Sequence, residues 1–457
     1  MTEQLKLKLN DSKATRWGAL VIVAFTMMAA YYVNDVVAPL KTMLETDLAW
    51  SSTDFGFFTG GYSFLNVFFL MLIWGGLILD RFGIRFTGKL ATILMVGGTA
   101  LEYYAMTGLA GADATLFGIN EIFGYKTGVF VVFGVGAEVA GITVSKIIAK
   151  WFKGKELATA MGVQVALARI GSQAGYAVAI PLARAFGIST PVLLGLVLLL
   201  GGMIAFFIFA VMDKKLDKQM EAAAIAAGTE DEEEKFSFKD VKNILVNPGF
   251  WLIALLCVLF YSCVFPFQKF ASELMIIKYG INENVAGTFA GLPALGALIL
   301  TPVFGGFIDK RGKSASIMLL GSAMLICVHF IYAIPDINYW LVAIVLMIIL
   351  GIAFSLVPSA MWPAVAKIFP VSQLGTAYAL IFFIQNIGLW GIPTLIGWVL
   401  DAYCISGKKP DGTNMYDYTV PMCIFTGIAC LSLIVALLLK KADKKYGYKL
   451  EEPNIQK

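Results

Sequence analysis

Two ionisable residues, Glu138 and Arg169, lie deep inside long apolar stretches of the sequence. At a helical rise of about 1.5 Å per residue, Glu138 lies about 18 Å before Lys150. Arg169 lies about 18 Å after Leu157 on the same reckoning, so both are predicted at one level near the middle of a membrane. Charges at that depth cost at least about 2.5–3.5 kcal/mol each, so they usually face a cavity or a partner. A carboxylate and a guanidinium at one level could bind a small solute that carries both an amine and a carboxylate.

The stretch that holds Arg169 carries further polar residues. Ser172, Gln173 and Tyr176 follow at i+3, i+4 and i+7, so on a helix they share the face of Arg169. A lipid-facing helix would not carry such a stripe, and these residues are predicted to line the cavity. The alternative is a structural ion pair between Glu138 and Arg169 that only joins their two helices.

The elements that must position these residues are membrane-spanning helices. Of the 457 residues, 59% are hydrophobic and 14% are charged, against about 45–50% and about 25% in an average soluble domain. Apolar runs that cross about 30 Å of hydrocarbon form helices, because a helix satisfies its own backbone hydrogen bonds in lipid. The sequence therefore predicts an all-α integral membrane protein with twelve transmembrane helices. They are expected at 17–44, 52–79, 88–108, 126–151, 157–186, 190–212, 250–278, 282–308, 313–334, 337–368, 372–403 and 417–441.

Two repeated turns indicate that the chain is built from two related halves. A glycine-bearing turn with an aspartate and then a basic residue occurs at Asp80 and again at Asp309. A second pair of turns, AKWFKGKELATA at 149–160 and AKIFPVSQLGTA at 366–377, lies between long apolar runs in both halves. The predicted arrangement is two pseudo-symmetric six-helix bundles. Transporters built in this way hold their site near the midplane, between the halves.

The repeat also sets the expected domain boundaries. These are an N-terminal bundle at 1–212, a cytoplasmic linker at 213–249, a C-terminal bundle at 250–441 and a cytoplasmic tail at 442–457. The linker contains the acidic run TEDEEEK, which is typical of a solvated connection. Basic residues cluster in alternate connections, so the positive-inside rule predicts that both termini are cytoplasmic. The polar N-terminus without a signal peptide favours a bacterial inner membrane, with a eukaryotic membrane as the alternative.

The offset between the second pair of turns assigns partners to the central residues. Glu138 corresponds to Ser355, and Arg169 corresponds to Asn386, which stands beside Gln385. One wall of the cavity would then offer a carboxylate and a guanidinium, and the other would offer neutral hydrogen-bonding groups. That asymmetry favours a zwitterion as substrate.

The stretch GGLILDRFG between the second and third apolar runs resembles the G-x-x-x-D-R-x-G signature of the major facilitator superfamily. The resemblance extends over the whole chain in helix number and repeat order, and it implies secondary transport by alternating access. The two central charges, with the A-K-W-F turn between them, are similar to the animal lysosomal dipeptide-transporting branch of that superfamily. There a helix-4 glutamate and a helix-5 arginine clamp the two ends of the peptide. The resemblance assigns these roles to Glu138 and Arg169.

Two further sets of residues are predicted to gate the site. The turn between helices 2 and 3, with its repeat in the second half, would form a latch at the cytoplasmic edge. Its residues are Gly76, Asp80, Arg81, Gly83, Arg85, Asp309 and Arg311. Asp35 and Lys269 lie near the opposite mouth and are predicted to form part of an outer gate. For Lys269 the alternatives are an intrahelical pair with Glu273 and simple snorkelling to the interface.

Other chemistries find no support in the sequence. No nucleotide-binding loop with the spacing G-x-x-x-x-G-K-[ST] occurs, and the six cysteines show no metal-ligand spacing. We expect no enzyme activity, no cofactor, no metal and no nucleic-acid partner, and we expect a monomer in the lipid bilayer that binds a small molecule. The alternative substrate is an organic anion bound by Arg169, with Glu138 as a proton-coupling group. A receptor that does not transport is disfavoured, because it would not require buried charges at matched depth.

Overall fold

The structure is a computed structural model that describes residues 8–108, 128–152, 155–227 and 238–453. The acidic run at 229–235 and most of the connection at 108–126 lie outside the described residues. The helices of the first half are α1 Lys13–Val36, α2 Lys41–Leu48, α3 Ser52–Phe68, α4 Met71–Gly108, α5 Gly128–Phe152, α6 Leu157–Phe186 and α7 Thr190–Ala227. Those that follow are α8 Phe238–Val246, α9 Pro248–Tyr279, α10 Glu283–Ala290, α11 Leu292–Arg311, α12 Ser314–Ala333, α13 Trp340–Ile368, α14 Val371–Tyr403 and α15 Thr419–Tyr446.

The described chain contains nine helices that are long and apolar enough to cross a membrane, and α3 with α4 adds a bent pair. Within α4, Gly83 has φ 75° and ψ 172°, so two helices meet there. This conformation is open to glycine and strained for other residues. Divided at Gly83, the order of elements is consistent with the twelve predicted passes, and the all-α membrane fold is confirmed.

The helices pack as two bundles. In the first, α4 packs on α5, and α1 packs on α6 and α7. In the second, α12 packs on α15 and α13, and α11 packs on α13. The bundles meet mainly where α3 lies along α14 and where α6 lies against α10 and α11.

Both chain termini lie at the same end of the molecule. At the N-terminal end of the chain, Lys155 donates to Asp11 over 2.9 Å, next to the turn between α5 and α6. Near the C-terminus, the backbone N–H of Lys313 donates to the carbonyl of Glu451 over 3.1 Å, at the turn between α11 and α12. We call the end that carries both of these contacts the terminal end. We call the opposite end the distal end. The Lys155 ammonium and its hydrogen bond lower the pKa of the Asp11 carboxyl, which keeps that contact charged.

The two bundles are closed against each other at the distal end. A Cβ atom at Gly56 would lie 2.5 Å from the carbonyl oxygen of Pro393, and one at Gly60 would lie 2.6 Å from that of Trp390. Small residues at this spacing allow two helix backbones to touch. The described hydrogen bonds and ion pairs that join the bundles lie in the distal part of the molecule. These contacts hold the distal ends of the two bundles together.

Four local features differ from the sequence prediction. Helix 1, expected as one piece over 17–44, ends at Val36 and resumes at Lys41 after a short 3₁₀ turn that contains Pro39, because proline lacks the N–H that a continuous helix needs. The helix expected to end at residue 212 continues to Ala227. Its buried Asp213 accepts from Lys150 over 2.7 Å, which ties the extension to α5.

The second helix, expected as one element over 52–79, is divided by a bend. Its two parts, α3 and the start of α4, meet at an angle of 60°. Leu70 at the bend has a left-handed φ of 53°. No proline or glycine stands between Asn66 and Leu70, so the local sequence offers no account of the bend.

A short hairpin joins α14 to α15 at the distal end, where only a loop was expected. Strands β1 Ile405–Lys408 and β2 Asn414–Tyr416 are antiparallel. Gly412 takes φ 88° in the turn, and Asp411 accepts from the backbone N–H and the hydroxyl of Thr413. Those hydrogen bonds lower the pKa of Asp411, so the turn is held by a carboxylate.

Candidate functional site

Glu138 and Arg169 lie half-buried on α5 and α6, but they do not pair with each other. One carboxylate oxygen of Glu138 accepts a hydrogen bond from the Tyr62 hydroxyl on α3 over 2.9 Å. Tyr62 therefore fixes the direction in which the carboxylate points. A structural ion pair between the two charges, the alternative reading of the sequence, is not present in the structure.

Arg169 lies against aromatic rings instead of a carboxylate. Its guanidinium carbon is 4.8 Å from the ring centre of Phe354, 5.6 Å from that of Tyr31 and 5.9 Å from that of Phe265. Each such contact stabilises a cation by about 0.5–2 kcal/mol, depending on how far it is desolvated. Ring faces accept no conventional hydrogen bond, so the N–H groups of Arg169 stay available for a ligand.

The polar stripe predicted beside Arg169 is divided in the structure. Ser172 donates to a carboxylate oxygen of Asp35 on α1. Gln173 donates to the carbonyl of Thr288 over 3.3 Å, across the contact between the bundles. Tyr176 is buried in that same contact, where its backbone meets Gly287. These three side chains therefore lie on the distal side of Arg169, where the bundles close.

The polar residues predicted on the second wall are buried within their own bundle. Ser355 donates to the carbonyl of Gly351 over 2.7 Å, one turn back on α13. The amide nitrogen of Asn386 donates over 2.9 Å to a carbonyl on its own helix, and its buried oxygen has no hydrogen-bond partner. Gln385 accepts from the thiol of Cys257 over 3.4 Å. The second bundle faces Arg169 with rings and not with these amides.

The predicted outer gate residues meet across the two bundles. The ammonium of Lys269 lies 2.8 Å from Asp35, and it also donates to the carbonyl of Asn34 over 2.7 Å. Since Ser172 also binds Asp35, this pair lies about one helical turn distal to Arg169 and covers the site on that side. The alternative partner, Glu273, is bound elsewhere.

A second distal cluster was not predicted. The ammonium of Lys41 lies 2.5 Å from both Glu45 and Glu273, and only 1% of its side chain is exposed. Lys409 of the hairpin lies 3.7 Å from each of these carboxylates, and the Tyr418 hydroxyl donates to Glu273. We call these five residues the distal lock. Two cations face two anions, which is how buried charges are kept in a protein interior.

The sequence contained a partial signal for the distal lock. Lys41 and Glu45 stand at i and i+4, the spacing of a helical ion pair. Lys408 and Lys409 are basic residues on the side where the positive-inside rule expects few, and the structure places Lys409 over two buried carboxylates. The ion pair between Lys41 and Glu273 could not be predicted from the sequence, because it joins residues far apart in the chain.

The residues predicted as a latch lie at the terminal end. Asp80 of α4 accepts from Lys146 of α5 over 2.9 Å, in an exposed pair within the first bundle. Arg85 lies 3.0 Å from Asp217 on the extension of α7. Arg81 stacks on Phe82 at 5.5 Å. The described contacts therefore hold this turn against its own bundle.

The remaining latch residues lie on α4 and at the end of α11. Gly76 lies on α4, and a Cβ atom there would meet no atom within 4 Å. Asp309 and Arg311 end α11, just before Gly312 with φ 70°.

Fold and site together define a membrane transporter whose two helical bundles meet around two central charges. A family model described as Major Facilitator Superfamily matches residues 20–393 and 270–452. The chain belongs to the major facilitator superfamily, and it is a transporter and not an enzyme.

Several proteins that are similar to this chain over most of its length are transporters. The lysosomal dipeptide transporter MFSD1 of Homo sapiens is 30% identical over 448 residues, which cover 95% of this chain and 88% of that protein. The protein of the same name from Danio rerio is 27% identical over 93% of this chain and 86% of its own length. The hexuronate transporter of Bacillus subtilis is 22% identical over 84% of this chain and 88% of that protein.

Solved structures share the fold at low identity. The nucleoside transporter NupG has a TM-score of 0.69 at 11% identity, covering 92% of this chain and 99% of that one. The peptide transporter POT has a TM-score of 0.68 at 14% identity, with 95% of each chain covered. At such identities the likeness concerns the fold alone.

Proposed function

We propose that this protein carries a dipeptide or a similar zwitterion across the membrane by alternating access, with Glu138 and Arg169 binding its two ends. One observation carries the proposal: two opposite charges lie at the centre, unpaired with each other, each oriented by an aromatic partner. A site that had already formed an internal ion pair would have to break it for every substrate. The similarity to dipeptide transporters over most of the chain supports the same substrate class.

The chemistry of binding follows from the two side chains. Arg169 presents a planar fork of donors that fits a carboxylate through two parallel hydrogen bonds. Glu138 has one oxygen held by Tyr62 and a second that can accept from the ammonium of the substrate. Because the two charges come from different helices, only a solute of suitable length satisfies both.

The gates complete the proposed cycle. The Asp35–Lys269 pair and the distal lock hold the distal side shut in the present state. Opening that side would separate both clusters, and the turn around Asp80 would then meet the second bundle at the terminal end. Relative rocking of two rigid bundles about a central site provides this exchange.

Exchange measurements in proteoliposomes test the clamp. Arg169→Ala and Glu138→Gln should each abolish exchange of dipeptides, because each removes one of the two charges that hold the substrate. Lys408→Ala is the control, since Lys408 is exposed and donates only to Asn414 within its own hairpin. Exchange that persists in both central variants would overturn the proposal.

An organic anion coupled to protons is the second candidate. It is favoured by a cation at the centre without a carboxylate partner and by the similarity to a hexuronate transporter. Glu138 would then carry the proton and Arg169 the anion. In that case Glu138→Gln would keep exchange but lose accumulation driven by a pH gradient, whereas the dipeptide clamp predicts loss of both.

We further propose that the protein is a monomer in a bacterial inner membrane, with the terminal end in the cytoplasm. The support is the clustering of Lys and Arg at that end. The finding on Lys409 strengthens it, since that basic residue is a buried counter-charge and not an orientation signal. Reporter fusions at both termini test the orientation. An extracytoplasmic reading at either terminus would contradict it.

A further inference from the structure

Arg169 and Asp35 lie close together within the first bundle. Ser172, one turn after Arg169 on α6, donates a hydrogen bond to the carboxylate of Asp35 on α1. Tyr31, one turn before Asp35, lies against Arg169, with 5.6 Å between its ring centre and the guanidinium carbon. The Tyr31 hydroxyl interacts electrostatically with both charges. The side chains of Arg169 and Asp35 therefore border the same space between α1 and α6, about one helical turn apart.

In the present state both charges have partners from the second bundle. Lys269 on α9 places its ammonium 2.8 Å from the carboxylate of Asp35. Phe265, one turn earlier on the same helix, and Phe354 on α13 place their rings 5.9 Å and 4.8 Å from the guanidinium carbon of Arg169. The second bundle thus supplies a cation for the carboxylate and ring faces for the guanidinium. Neither charge needs the other while the distal side is shut.

The partners of Asp35 within the first bundle are uncharged. Its carboxylate accepts from the side-chain amide of Asn34 over 2.9 Å and from the Ser172 hydroxyl. Both donors belong to the same bundle as Asp35 and move with it. Among the residues that the structure describes, Lys269 is the one cation that pairs with Asp35. When the distal side opens in the proposed cycle, Asp35 keeps these hydrogen bonds and loses its counter-charge.

We propose that Asp35 becomes the counter-charge of Arg169 in the distal-open state and displaces the carboxylate of the substrate there. The inference rests on the proposed function, because it assumes that Arg169 binds the carboxylate of a zwitterion and that the bundles rock. Opening removes Lys269 from Asp35 and two rings from Arg169 in one movement. It leaves an anion and a cation about one turn apart in a protein interior, where their attraction is stronger than in water. Asp35 is thus a positioning residue that acts on the substrate through Arg169 and favours release on the distal side.

Titration calorimetry of the purified protein with Ala-Ala tests the proposal. Lys269→Met removes the cation from Asp35, so affinity should fall at least about ten-fold as Asp35 competes for Arg169. Asp35→Asn in the Lys269→Met background should restore affinity to within about three-fold of wild type, because the amide has the same shape and no charge. Unchanged affinity in Lys269→Met, or no recovery in the double variant, would overturn the inference.

A gate without this role predicts a different pattern. If Lys269 only holds the bundles together, Asp35→Asn and Lys269→Met break the same contact, and the double variant should bind no better than Lys269→Met. Asp401→Asn is the matched control, because Asp401 is another carboxylate that joins the bundles at the distal end, through Thr53. In the Lys269→Met background this control should leave the affinity low. Recovery with Asp401→Asn would show that the effect does not belong to Asp35.

A second variant keeps the test independent of the stability of Lys269→Met. Lys269→Gln is uncharged and can still donate to the carbonyl of Asn34, which Lys269 binds over 2.7 Å. The same loss of affinity and the same recovery with Asp35→Asn are expected, and their absence in folded protein would equally overturn the inference. Thermal unfolding identifies which variants are folded.

The same titrations separate this inference from the proposed function. If Ala-Ala binds and needs Arg169 but Asp35→Asn restores nothing, the clamp stands and the role of Asp35 is wrong. If no dipeptide binds to the folded wild-type protein, the proposed function is wrong, and the role of Asp35 falls with it.

Discussion

Arg169 shows how a central charge is kept ready for a ligand. Ring faces stabilise the guanidinium without consuming its N–H groups, whereas a carboxylate would compete with the substrate for them. The aromatic partners come from both bundles, Tyr31 from the first and Phe265 and Phe354 from the second. If the bundles rock as proposed, the environment of Arg169 changes with them, and the affinity for substrate is then coupled to the state of the transporter.

Tyr62 is predicted to be a positioning residue for Glu138. Tyr62→Phe removes one hydrogen bond to the carboxylate, and bonds to charged groups contribute about 1.5–3 kcal/mol, so affinity for dipeptides should fall at least about ten-fold. Titration calorimetry on the purified protein measures the change. Tyr32→Phe is the control, because its hydroxyl donates to the carbonyl of Pro191 in the first bundle. Equal affinities of Tyr62→Phe and wild type would contradict the role.

For individual residues, the sequence singled out the central charges but gave no indication of the aromatic rings beside Arg169. Glu138 and Arg169 stood out because ionisable residues are rare in apolar stretches. Phe265 and Phe354 carry no such signal, since aromatic residues are common throughout spanning helices. The mirror positions Ser355 and Asn386 were assigned by repeat offset, but their side chains bond to their own helices. An offset locates a backbone position and says little about where its side chain points.

At the scale of elements, the distal lock joins α2, α9 and the hairpin. Lys41→Met would leave Glu45 and Glu273 close together with only Lys409 at 3.7 Å, and removing one partner from a buried pair costs about 3–5 kcal/mol. Only the distal-closed state contains this cluster, so the variant should populate the distal-open state. The native thiol of Cys404, buried at the distal end, reports opening.

The measurement uses a variant in which Cys404 is the single remaining cysteine. A membrane-impermeant maleimide should label it several-fold faster after Lys41→Met. Lys408→Met is the matched control in the same hairpin, because Lys408 is exposed and donates only to Asn414. Labelling at the wild-type rate in Lys41→Met would show that the cluster does not hold the distal end shut.

Asp80 is predicted to act on the rate of transport and not on binding. In the present state its one described partner is Lys146, in an exposed pair of the kind that contributes about 0–1 kcal/mol. Asp80→Ala should therefore leave dipeptide affinity within about two-fold, while slowing exchange through loss of its contact in the terminal-closed state. Paired binding and exchange assays decide the matter. A large loss of affinity would contradict the latch.

Element by element, the sequence predicted helices better than their interruptions. Hydropathy identifies the spanning stretches because lipid leaves the backbone no other choice. Local turn residues do indicate the break at Pro39 and the hairpin turn at Pro410, Asp411 and Gly412. Composition alone does not take them into account. The bend at Leu70 had no such local signal in the sequence. Its cause lies in packing, where α3 follows α14 across the bundle contact while α4 follows α5.

At the scale of the whole molecule, two related halves could be read from repeated turns, but the state of the transporter could not. Whether the distal or the terminal side is shut depends on contacts between residues far apart in the chain, such as Lys41 with Glu273 and Asp35 with Lys269. One sequence can form either the contacts that close the distal side or those that close the terminal side. The proposed alternating access requires that neither set dominates. The closed distal side is thus a property of the conformer and not of any local pattern.

The contact between α3 and α14 allows a direct test of rocking. Asp401 of the second bundle accepts hydrogen bonds from the backbone N–H and the hydroxyl of Thr53, over 2.6 Å and 2.5 Å, and so caps the first turn of α3. The hydrogen bond between these two side chains makes their positions the choice for an engineered disulfide, which needs Cβ atoms about 3.5–4.5 Å apart. Thr53→Cys with Asp401→Cys, in a background without the six native cysteines, should cross-link under mild oxidation.

If the protein works by rocking its bundles, the cross-linked form should bind dipeptides from the terminal side and yet fail to exchange them, because the distal side cannot open. Reduction of the disulfide should restore exchange. Each single-cysteine variant controls for loss of the Asp401 cap, which costs about 0.5–2 kcal/mol and leaves the Ser51–Asp54 capping box of α3 in place. Full exchange by the cross-linked protein would show that α3 and α14 stay together through the cycle, and the rocking mechanism would have to be abandoned for this chain.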